Sequence, residues 1–298
     1  MNLGLALIAS PKSPVIVDVM QTNIKSTVLI TGCSSGFGKA SAELFRTRGW
    51  NVIATMRSPK PELFDASEKV LVTSLDVTNP KSVSCAIAEG IARFGKIDVL
   101  VNNAGIGLFG AHEVIPDETI RQVFETNTFG VMTANRAIVP HMRQRGSGTI
   151  VNVTSSAGIA PMPMVAVYTA SKHAIEGFSE SLAYELAAFG VRVKIVEPGL
   201  APSTSFAANS GSRCDNLIPP AYADYAGRYL KSMREYPTAY TKPEDVAEAV
   251  YAAATDGSSR LRYPAGDDSV MLAELRKSLP EEEFVARVRD MTGGSQAK

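Results

Sequence analysis

Short apolar runs alternate with longer segments of helical periodicity along most of this chain. The apolar runs, rich in Val and Ile, lie at residues 26–32, 51–56, 69–77, 97–105, 148–155, 191–199 and 260–266. Helical patterns separate them at 39–49, 80–94, 117–144, about 168–189 and 243–254. Runs that are apolar on both faces indicate strands buried on both sides, as in a parallel sheet. The alternation therefore predicts an α/β fold with one doubly wound parallel sheet and right-handed crossovers.

Two segments fall outside this alternation. Residues 1–25 are predicted to be an extension in front of a single domain that spans 26–298. The extension holds an apolar run at 3–9, but no basic residue precedes it, so a secretory signal is not expected. Residues 201–240 are rich in Ser, Pro, Gly and Tyr. We expect that segment to be a loop with short helices over one edge of a binding site.

Charge and cysteine content narrow the class of protein. Lys plus Arg and Asp plus Glu are both 30 in 298 residues, without a long run of like charge, so no nucleic-acid partner is expected. No apolar run approaches the ~20 residues of a membrane span. Three cysteines at unrelated spacings favour reduced thiols and a cytoplasmic location. His112, His141 and His173 share no metal-binding spacing, so no metal is expected.

A glycine-rich turn, "TGCSSGFG" at residues 31–38, joins the first predicted strand to the first helix. Such a turn needs backbone freedom and the absence of Cβ atoms, so that backbone N–H groups and the helix N-terminus can meet a pyrophosphate. The turn therefore predicts a dinucleotide site. The residues expected to contact the dinucleotide are Gly32, Ser34, Ser35, Gly36, Phe37 and Gly38.

The end of the second strand bears on which dinucleotide binds. An acidic residue there would bond the adenosine 2′-OH and favour NAD(H). Here the run is "ATMRSP", with Arg57 and no Asp or Glu. A guanidinium can fork onto a 2′-phosphate, so the sequence favours NADP(H), with NAD(H) still possible.

Further motifs follow at the ends of other strands. They are "LDVT" at 75–78, "NNAG" at 102–105, Asn127 in the next helix, Ser155, "YTASK" at 168–172, and "PG" at 198–199. In this order they resemble the short-chain dehydrogenase/reductase family, in its compact single-domain branch. The resemblance covers about residues 25–266. It implies a Rossmann-type sheet with strand order 3-2-1-4-5-6-7.

The resemblance also implies which residues hold the cofactor. They are Asp76 and Val77 near the adenine, Asn103, Ala104 and Gly105 along the adenosine, and Pro198, Gly199 and Leu200 beside the nicotinamide. In the family, a residue just past the Pro-Gly pair holds the carboxamide, and Ser203 and Thr204 are both candidates here.

Carbonyl reduction needs a hydride, which the cofactor supplies, and a proton, for which Tyr168 is the predicted general acid/base. The ordinary tyrosine pKa near 10 is too high for efficient catalysis at neutral pH, so we expect Lys172, one helical turn away, to lower it. Ser155, with Ser156 as its rival, is expected to hydrogen-bond the substrate oxygen. By resemblance, Lys172 also binds the nicotinamide ribose. Asn127 holds a water that links Lys172 to solvent, or else is a satisfied core amide.

Apolar and aromatic residues dominate the segments expected around the substrate. They include residues 105–110 and 158–165, and Tyr222, Tyr225, Tyr229 and Met233 in the loop, with no basic cluster for a charged substrate. We therefore predict a hydrophobic ketone or aldehyde and its alcohol, such as a steroid-, retinoid- or fatty-chain-like molecule.

Two further expectations concern assembly and activity. The family usually forms dimers or tetramers through the helices around Asn127 and Tyr168, which implies a homodimer or homotetramer. The alternative to an enzyme is a non-catalytic NAD(P)-sensing protein on the same fold. Such a protein would typically lack the tyrosine or the lysine, and this chain has both.

Overall fold

A computed structural model of the chain describes residues 25–65, 67–202, 204, 206, 211, 213–236 and 238–294. These residues form one parallel sheet in the order β3-β2-β1-β4-β5-β6-β7, as predicted. Its strands are β1 (Thr27–Thr31), β2 (Asn51–Met56), β3 (Val70–Ser74), β4 (Val99–Asn102), β5 (Gly148–Val153), β6 (Val191–Pro198) and β7 (Arg262–Ala265). The predicted extension lies outside the described residues except for Lys25.

Helices connect the strands. They are α1 (Gly36–Thr47), α2 (Pro80–Phe94), α3 (Asp117–Phe124), α4 (Gly130–Arg145), α5 (Ala166–Ala187), α6 (Ala223–Arg234), α7 (Pro243–Thr255), α8 (Asp267–Ser278) and α9 (Glu281–Met291). The helical pattern at 117–144 is interrupted by a π-helical turn at Glu125–Phe129, which the sequence pattern did not indicate. The sequence analysis also did not predict α8 and α9, which follow the last strand.

Both faces of the sheet are covered by helices. Successive residues of β1 show this, because Val28 and Ile30 pack into one core cluster and Leu29 into another. The first cluster includes Phe45 of α1, and the second includes Ile138 of α4. Burial on both sides explains why the strands have no polar face.

β1 and β4 are neighbours in the sheet, and the order in which the chain adds strands reverses between them. Their carboxyl ends therefore lie at the switch point of the sheet. In an open α/β sheet, ligands bind in the crevice at this edge. The described part of residues 201–240 contains a short 3-10 turn at Pro220–Tyr222 and helix α6, in line with the short helices expected there. No helix within the described residues is long and apolar enough to cross a membrane.

Candidate active site

The turn between β1 and α1 presents backbone rather than side chains. Gly32 and Gly36 have φ angles of 76° and 55°, a region that favours glycine. A Cβ at Gly38 would overlap the carbonyl oxygen of Gly32. The first turn of α1 has no acidic residue, so the positive end of its helix dipole is not neutralised there. The turn can therefore receive an anionic group on backbone N–H groups.

The segment after β4 holds this turn in place. The Thr31 hydroxyl oxygen accepts hydrogen bonds from the backbone N–H groups of Asn103 and Ala104, both at 3.0 Å. The Asn103 side-chain amide donates to the Thr31 carbonyl at 2.9 Å. These bonds join residues more than 70 positions apart in sequence and bring "TGCSSGFG" and "NNAG" together. The switch point of the sheet is therefore built by both predicted motifs.

Three side chains of the predicted catalytic group meet at the same edge. Ser155 follows β5, and its hydroxyl lies near enough to the side chain of Tyr168 on α5 to lower the pKa of that phenol. One turn further along α5, the Lys172 Nζ lies 5.7 Å from the centroid of the Tyr168 ring. The Lys172 Nζ also donates to the Val153 carbonyl at 3.1 Å. The serine that reaches Tyr168 is the one that the sequence preferred over Ser156.

Burial sets the pKa values of this group. It raises the pKa of Tyr168 to about 12, and the hydrogen bond from Ser155 opposes that shift. It also lowers the pKa of Lys172 to about 8, against the charge of Glu176. The expected lowering of the Tyr168 pKa is therefore wrong for this arrangement, because burial disfavours the charged phenolate.

Asn127 lies within the π-helical turn and is 1% exposed. Its side-chain oxygen accepts from the Ile106 N–H, and its amide nitrogen donates to the Ile106 carbonyl, both at 2.9 Å. The same nitrogen donates to the Ser171 hydroxyl at 3.2 Å. The amide is thus satisfied by the protein itself. A Cβ at Gly105 would contact both the Asn127 side-chain oxygen and the Lys172 Nζ, so both side chains approach the same side of this glycine.

The predicted adenosine-side residues lie at the ends of β2 and β3. Arg57 is exposed just after β2, and its carbonyl accepts from the Ser74 hydroxyl at 3.1 Å. The Asp76 carboxylate accepts from the N–H and hydroxyl of Thr78 at 2.9 and 2.8 Å. Val77 is buried at 8% exposure. These positions adjoin the turn through the pairing of β1, β2 and β3.

The turn after β6 carries Pro198, Gly199 and Leu200. The Gly199 N–H donates to the Ala265 carbonyl at 3.0 Å, which ties the turn to the end of β7. Beyond it, the side chain of Thr204 lies 3.6 Å from the position of a Cβ on Gly36. Thr204 therefore reaches the glycine-rich turn at residues 31–38, which we call the phosphate turn. Ser203 lies outside the described residues.

Several aromatic residues lie in or beside the loop 201–240, and one of them contacts the ring of Tyr168. Phe206 contacts it directly, with ring centroids 5.9 Å apart in an edge-to-face arrangement. Tyr222 and Tyr225 pack against a small apolar cluster that includes Met164. The Phe109 ring stacks on Tyr229 at 5.9 Å. Sequence reasoning did not single out Phe206, although it is an apolar residue within the loop 201–240.

Within the described residues, no group of three His, Cys, Asp or Glu side chains lies close enough together to hold a metal ion. His141 instead accepts a hydrogen bond at Nε2 from the Ile97 N–H at 3.2 Å. Burial raises the pKa of Cys33, within the phosphate turn, to about 12, so this thiol stays neutral.

Comparison with known proteins points to one family. Residues 26–214 match the model of the short chain dehydrogenase family. An uncharacterized oxidoreductase of Schizosaccharomyces pombe is 38% identical over 80% of this chain and 100% of its own length. The 3-ketodihydrosphingosine reductase of Bacteroides thetaiotaomicron is 39% identical over 70% of this chain and 74% of its own. Retinol dehydrogenase 8 of Bos taurus is 36% identical over 75% of this chain and 76% of its own length.

Solved structures agree with this result. A short-chain dehydrogenase of Streptomyces avermitilis has a TM-score of 0.70 at 34% identity, over 88% of this chain and 97% of its own. A short chain dehydrogenase/reductase of Burkholderia phymatum in complex with NAD has a TM-score of 0.72 at 26% identity, over 85% and 93%. ElxO with NADP bound has a TM-score of 0.66 at 28% identity, over 80% and 97%.

Proposed function

This chain belongs to the short-chain dehydrogenase family of oxidoreductases, and on that basis we propose that it interconverts a hydrophobic ketone or aldehyde and its alcohol with NADP(H). The observation that carries the proposal is the convergence of Ser155, Tyr168 and Lys172 at the carboxyl edge of the sheet. This group adjoins a glycine turn suited to a dinucleotide. The two halves of a hydride-transfer site thus meet at one crevice.

The residues present fit a nicotinamide dinucleotide. Gly38 has no room for a Cβ, so the first turn of α1 packs closely against the glycine-rich turn, an arrangement in which backbone N–H groups can bind a pyrophosphate. The cofactor, when bound, supplies or accepts the hydride. We assign the 2′-phosphate of NADP(H) to Arg57, which is exposed beyond β2 where the chain offers no acidic residue. The relatives' structures include both NAD and NADP complexes, so they support a nicotinamide cofactor of either kind.

Tyr168 is the proposed proton donor to the substrate oxygen, and Ser155 hydrogen-bonds the same oxygen as charge develops on it. The raised pKa of Tyr168, about 12, keeps the phenol protonated at neutral pH, the state that can donate a proton to a carbonyl oxygen. Lys172 keeps a positive charge beside the phenol below its own pKa of about 8. Asn127 approaches the same side of Gly105 as that lysine and is the proposed support for a water beside it.

The proposed substrate is apolar because apolar and aromatic residues dominate the loop region that carries Phe206. Phe206 lies against the Tyr168 ring, and Phe109, Tyr222 and Tyr225 pack against the cluster that includes Met164 and Ala226. The names of two relatives refer to ketodihydrosphingosine and to retinol, both largely hydrocarbon molecules, and they support a substrate of this kind. Assembly as a homodimer or homotetramer and a cytoplasmic location stay predictions.

Oxidation of NADPH, followed by its absorbance, tests the proposal against a panel of long-chain, steroidal and retinoid carbonyls and small keto acids. We expect turnover of the bulky apolar carbonyls, with higher kcat/KM for NADPH than for NADH. Tyr168→Phe should bind NADPH as the parent does and lose about 10²-fold or more in kcat, because it has no proton to donate.

Several outcomes would contradict the proposal. A preference for small keto acids would refute the apolar substrate, and equal efficiency with NADH would refute the role of Arg57. A Tyr168→Phe variant with full activity would refute the mechanism. NADPH binding without turnover of any carbonyl would favour the NAD(P)-sensing alternative.

A further inference from the structure

Both ends of the loop that covers the site, residues 201–240, meet at one carboxylate. Asp268 lies in the first turn of α8, and its Oδ2 accepts a hydrogen bond from the Leu200 N–H at 2.6 Å. Its Oδ1 accepts from the Thr241 hydroxyl, also at 2.6 Å. The Thr241 N–H in turn donates to the Leu200 carbonyl at 3.0 Å. The residue before the loop and the residue after it are therefore bonded to each other and to the same side chain.

This junction is enclosed. Asp268 is 2% exposed and Thr241 is 1% exposed. A Cβ on Gly199 would overlap the Asp268 carboxylate, and a Cβ on Gly266 would overlap the Thr241 side chain. Both glycines thus leave just enough space for the two polar groups. Each carboxylate oxygen has a donor, as a buried charge requires.

The start of α8 is itself fixed to the sheet. The Ser269 hydroxyl donates to the Glu197 carbonyl at 2.6 Å, and the Gly199 N–H donates to the Ala265 carbonyl at 3.0 Å. Pro198 pairs with Ala265 where β6 and β7 end. The carboxylate is therefore held on the rigid part of the fold and not on the loop.

Hydrogen bonds to a carboxylate are about twice as strong as neutral ones, and loss of one partner leaves a buried charge unsatisfied. Joining the ends of a long loop also restricts the conformations available to it. The segment in question carries Thr204, which reaches the phosphate turn, and Phe206, which lies on Tyr168. The position of both residues depends on where the loop begins and ends.

We propose that Asp268, together with Thr241, is a positioning residue that clamps both ends of the substrate loop and the Pro198–Leu200 turn beside the nicotinamide site. We call this pair the loop clamp. The inference rests on the proposed function for its effect on cofactor and substrate, while the effect on the loop itself does not require turnover. The loop clamp acts through the backbone of Leu200 and touches neither cofactor nor substrate.

Four substitutions separate the contribution of the Asp268 carboxylate from that of the Thr241 hydroxyl. Asp268→Ala removes both acceptors, whereas Asp268→Asn keeps the shape and one acceptor for the Leu200 N–H. Thr241→Val removes the hydroxyl with little change of volume, whereas Thr241→Ser restores it. The matched control is Asp256→Asn, because Asp256 bonds Ser258 and Tyr263 before and within β7, away from the carboxyl edge.

Three measurements are made on each full-length protein: hydrogen–deuterium exchange of residues 201–240, the Kd for NADPH, and KM and kcat with the best carbonyl. For Asp268→Ala we expect faster exchange confined to the loop and a rise of about tenfold or more in Kd and KM. Thr241→Val should also raise both Kd and KM. Thr241→Ser and Asp268→Asn should lie within about threefold of the parent protein. Asp256→Asn should lower the melting temperature without altering Kd or loop exchange.

The loop clamp is refuted if Asp268→Ala and Thr241→Val destabilise the whole protein as Asp256→Asn does, without selective exchange in the loop or a change in Kd. If Asp268→Ala does not fold, Thr241→Val against Thr241→Ser decides the question. A parent protein that turns over no carbonyl, combined with the expected exchange pattern, would refute the proposed function and leave the loop clamp standing.

Discussion

Lys172 and Glu176 lie one helical turn apart on α5, and both side chains are buried. The charge of Glu176 raises the pKa of Lys172, although burial lowers it overall to about 8. Glu176 in turn pairs with Arg262 at 2.8 Å. The charge on the lysine beside Tyr168 thus depends on a carboxylate that the sequence analysis did not consider. Its i,i+4 spacing from Lys172 was the signal that could have identified it.

Glu176→Gln should move the pH dependence of the reaction. Without the carboxylate the pKa of Lys172 falls further below about 8, so the loss of kcat with rising pH should begin at a lower pH. The measurement is kcat with saturating NADPH across the neutral and alkaline range.

Glu180→Gln is the control for this experiment. Glu180 also pairs with Arg262, at 2.8 Å, but its side chain is 49% exposed and its charge is not among those that shift Lys172. We expect its pH profile to match that of the parent. A Glu176→Gln profile that also matched the parent would show that Glu176 does not tune the lysine.

The turn that leads into α1 depends on the absence of one methyl group. Gly38→Ala would drive a Cβ into the Gly32 carbonyl of the phosphate turn and into the Asn103 amide that holds this turn in place. The backbone would have to shift, so we expect NADPH binding to be lost and the free energy of unfolding to fall by about 1–3 kcal/mol. Titration with NADPH and urea unfolding measure the two effects.

Gly227→Ala in α6 provides the contrasting case. Nothing lies within 4 Å of a Cβ at that position, and the residue is helical. Ala is the better helix former, by up to about 1 kcal/mol, so this variant should be as stable as the parent or more stable. Unchanged NADPH binding by Gly38→Ala would show that the turn does not hold the dinucleotide.

Stability of the whole molecule should depend on pH through Glu197, a residue of β6 that is 1% exposed. Burial, and then the charge of Glu176, raise its pKa from 4.5 to about 8. In that interval the folded protein keeps a proton that the unfolded chain releases. The contribution of Glu197 to stability is therefore fully present below pH 4.5 and is lost as pH rises through about 8.

Glu197→Gln should remove this dependence. We expect its free energy of unfolding to fall less than that of the parent between about pH 5 and about pH 8, by a difference on the order of a few kcal/mol. Urea unfolding at both pH values measures it. Other titrating groups are common to the two proteins and cancel in the comparison. Parallel pH dependence in parent and variant would mean that Glu197 is charged in the folded state.

The elements show where a sequence pattern is sufficient. The predicted bounds of β2 and α2 agree with the structure, since Asn79 caps α2 through its side chain and Gly95 ends it with a φ of 80°. Those signals are local. The π-helical turn at Glu125–Phe129 has no such signal, because the helical hydrophobic pattern continues through it. Tertiary hydrogen bonds accompany this turn: Asn127 accepts from the Ile106 N–H and donates to the Ile106 carbonyl and the Ser171 hydroxyl.

The sequence by itself determined the α/β class and the strand positions, because periodicity reports on neighbours in the chain. The strand order followed from the family resemblance that the ordered motifs carry. The tertiary structure alone decided the direction of the Tyr168 pKa shift, the contact of Phe206 with that ring, and the convergence of Leu200 and Thr241 on Asp268. Burial and contacts between residues far apart in sequence exist only after the strands and helices have packed, and no local pattern encodes them.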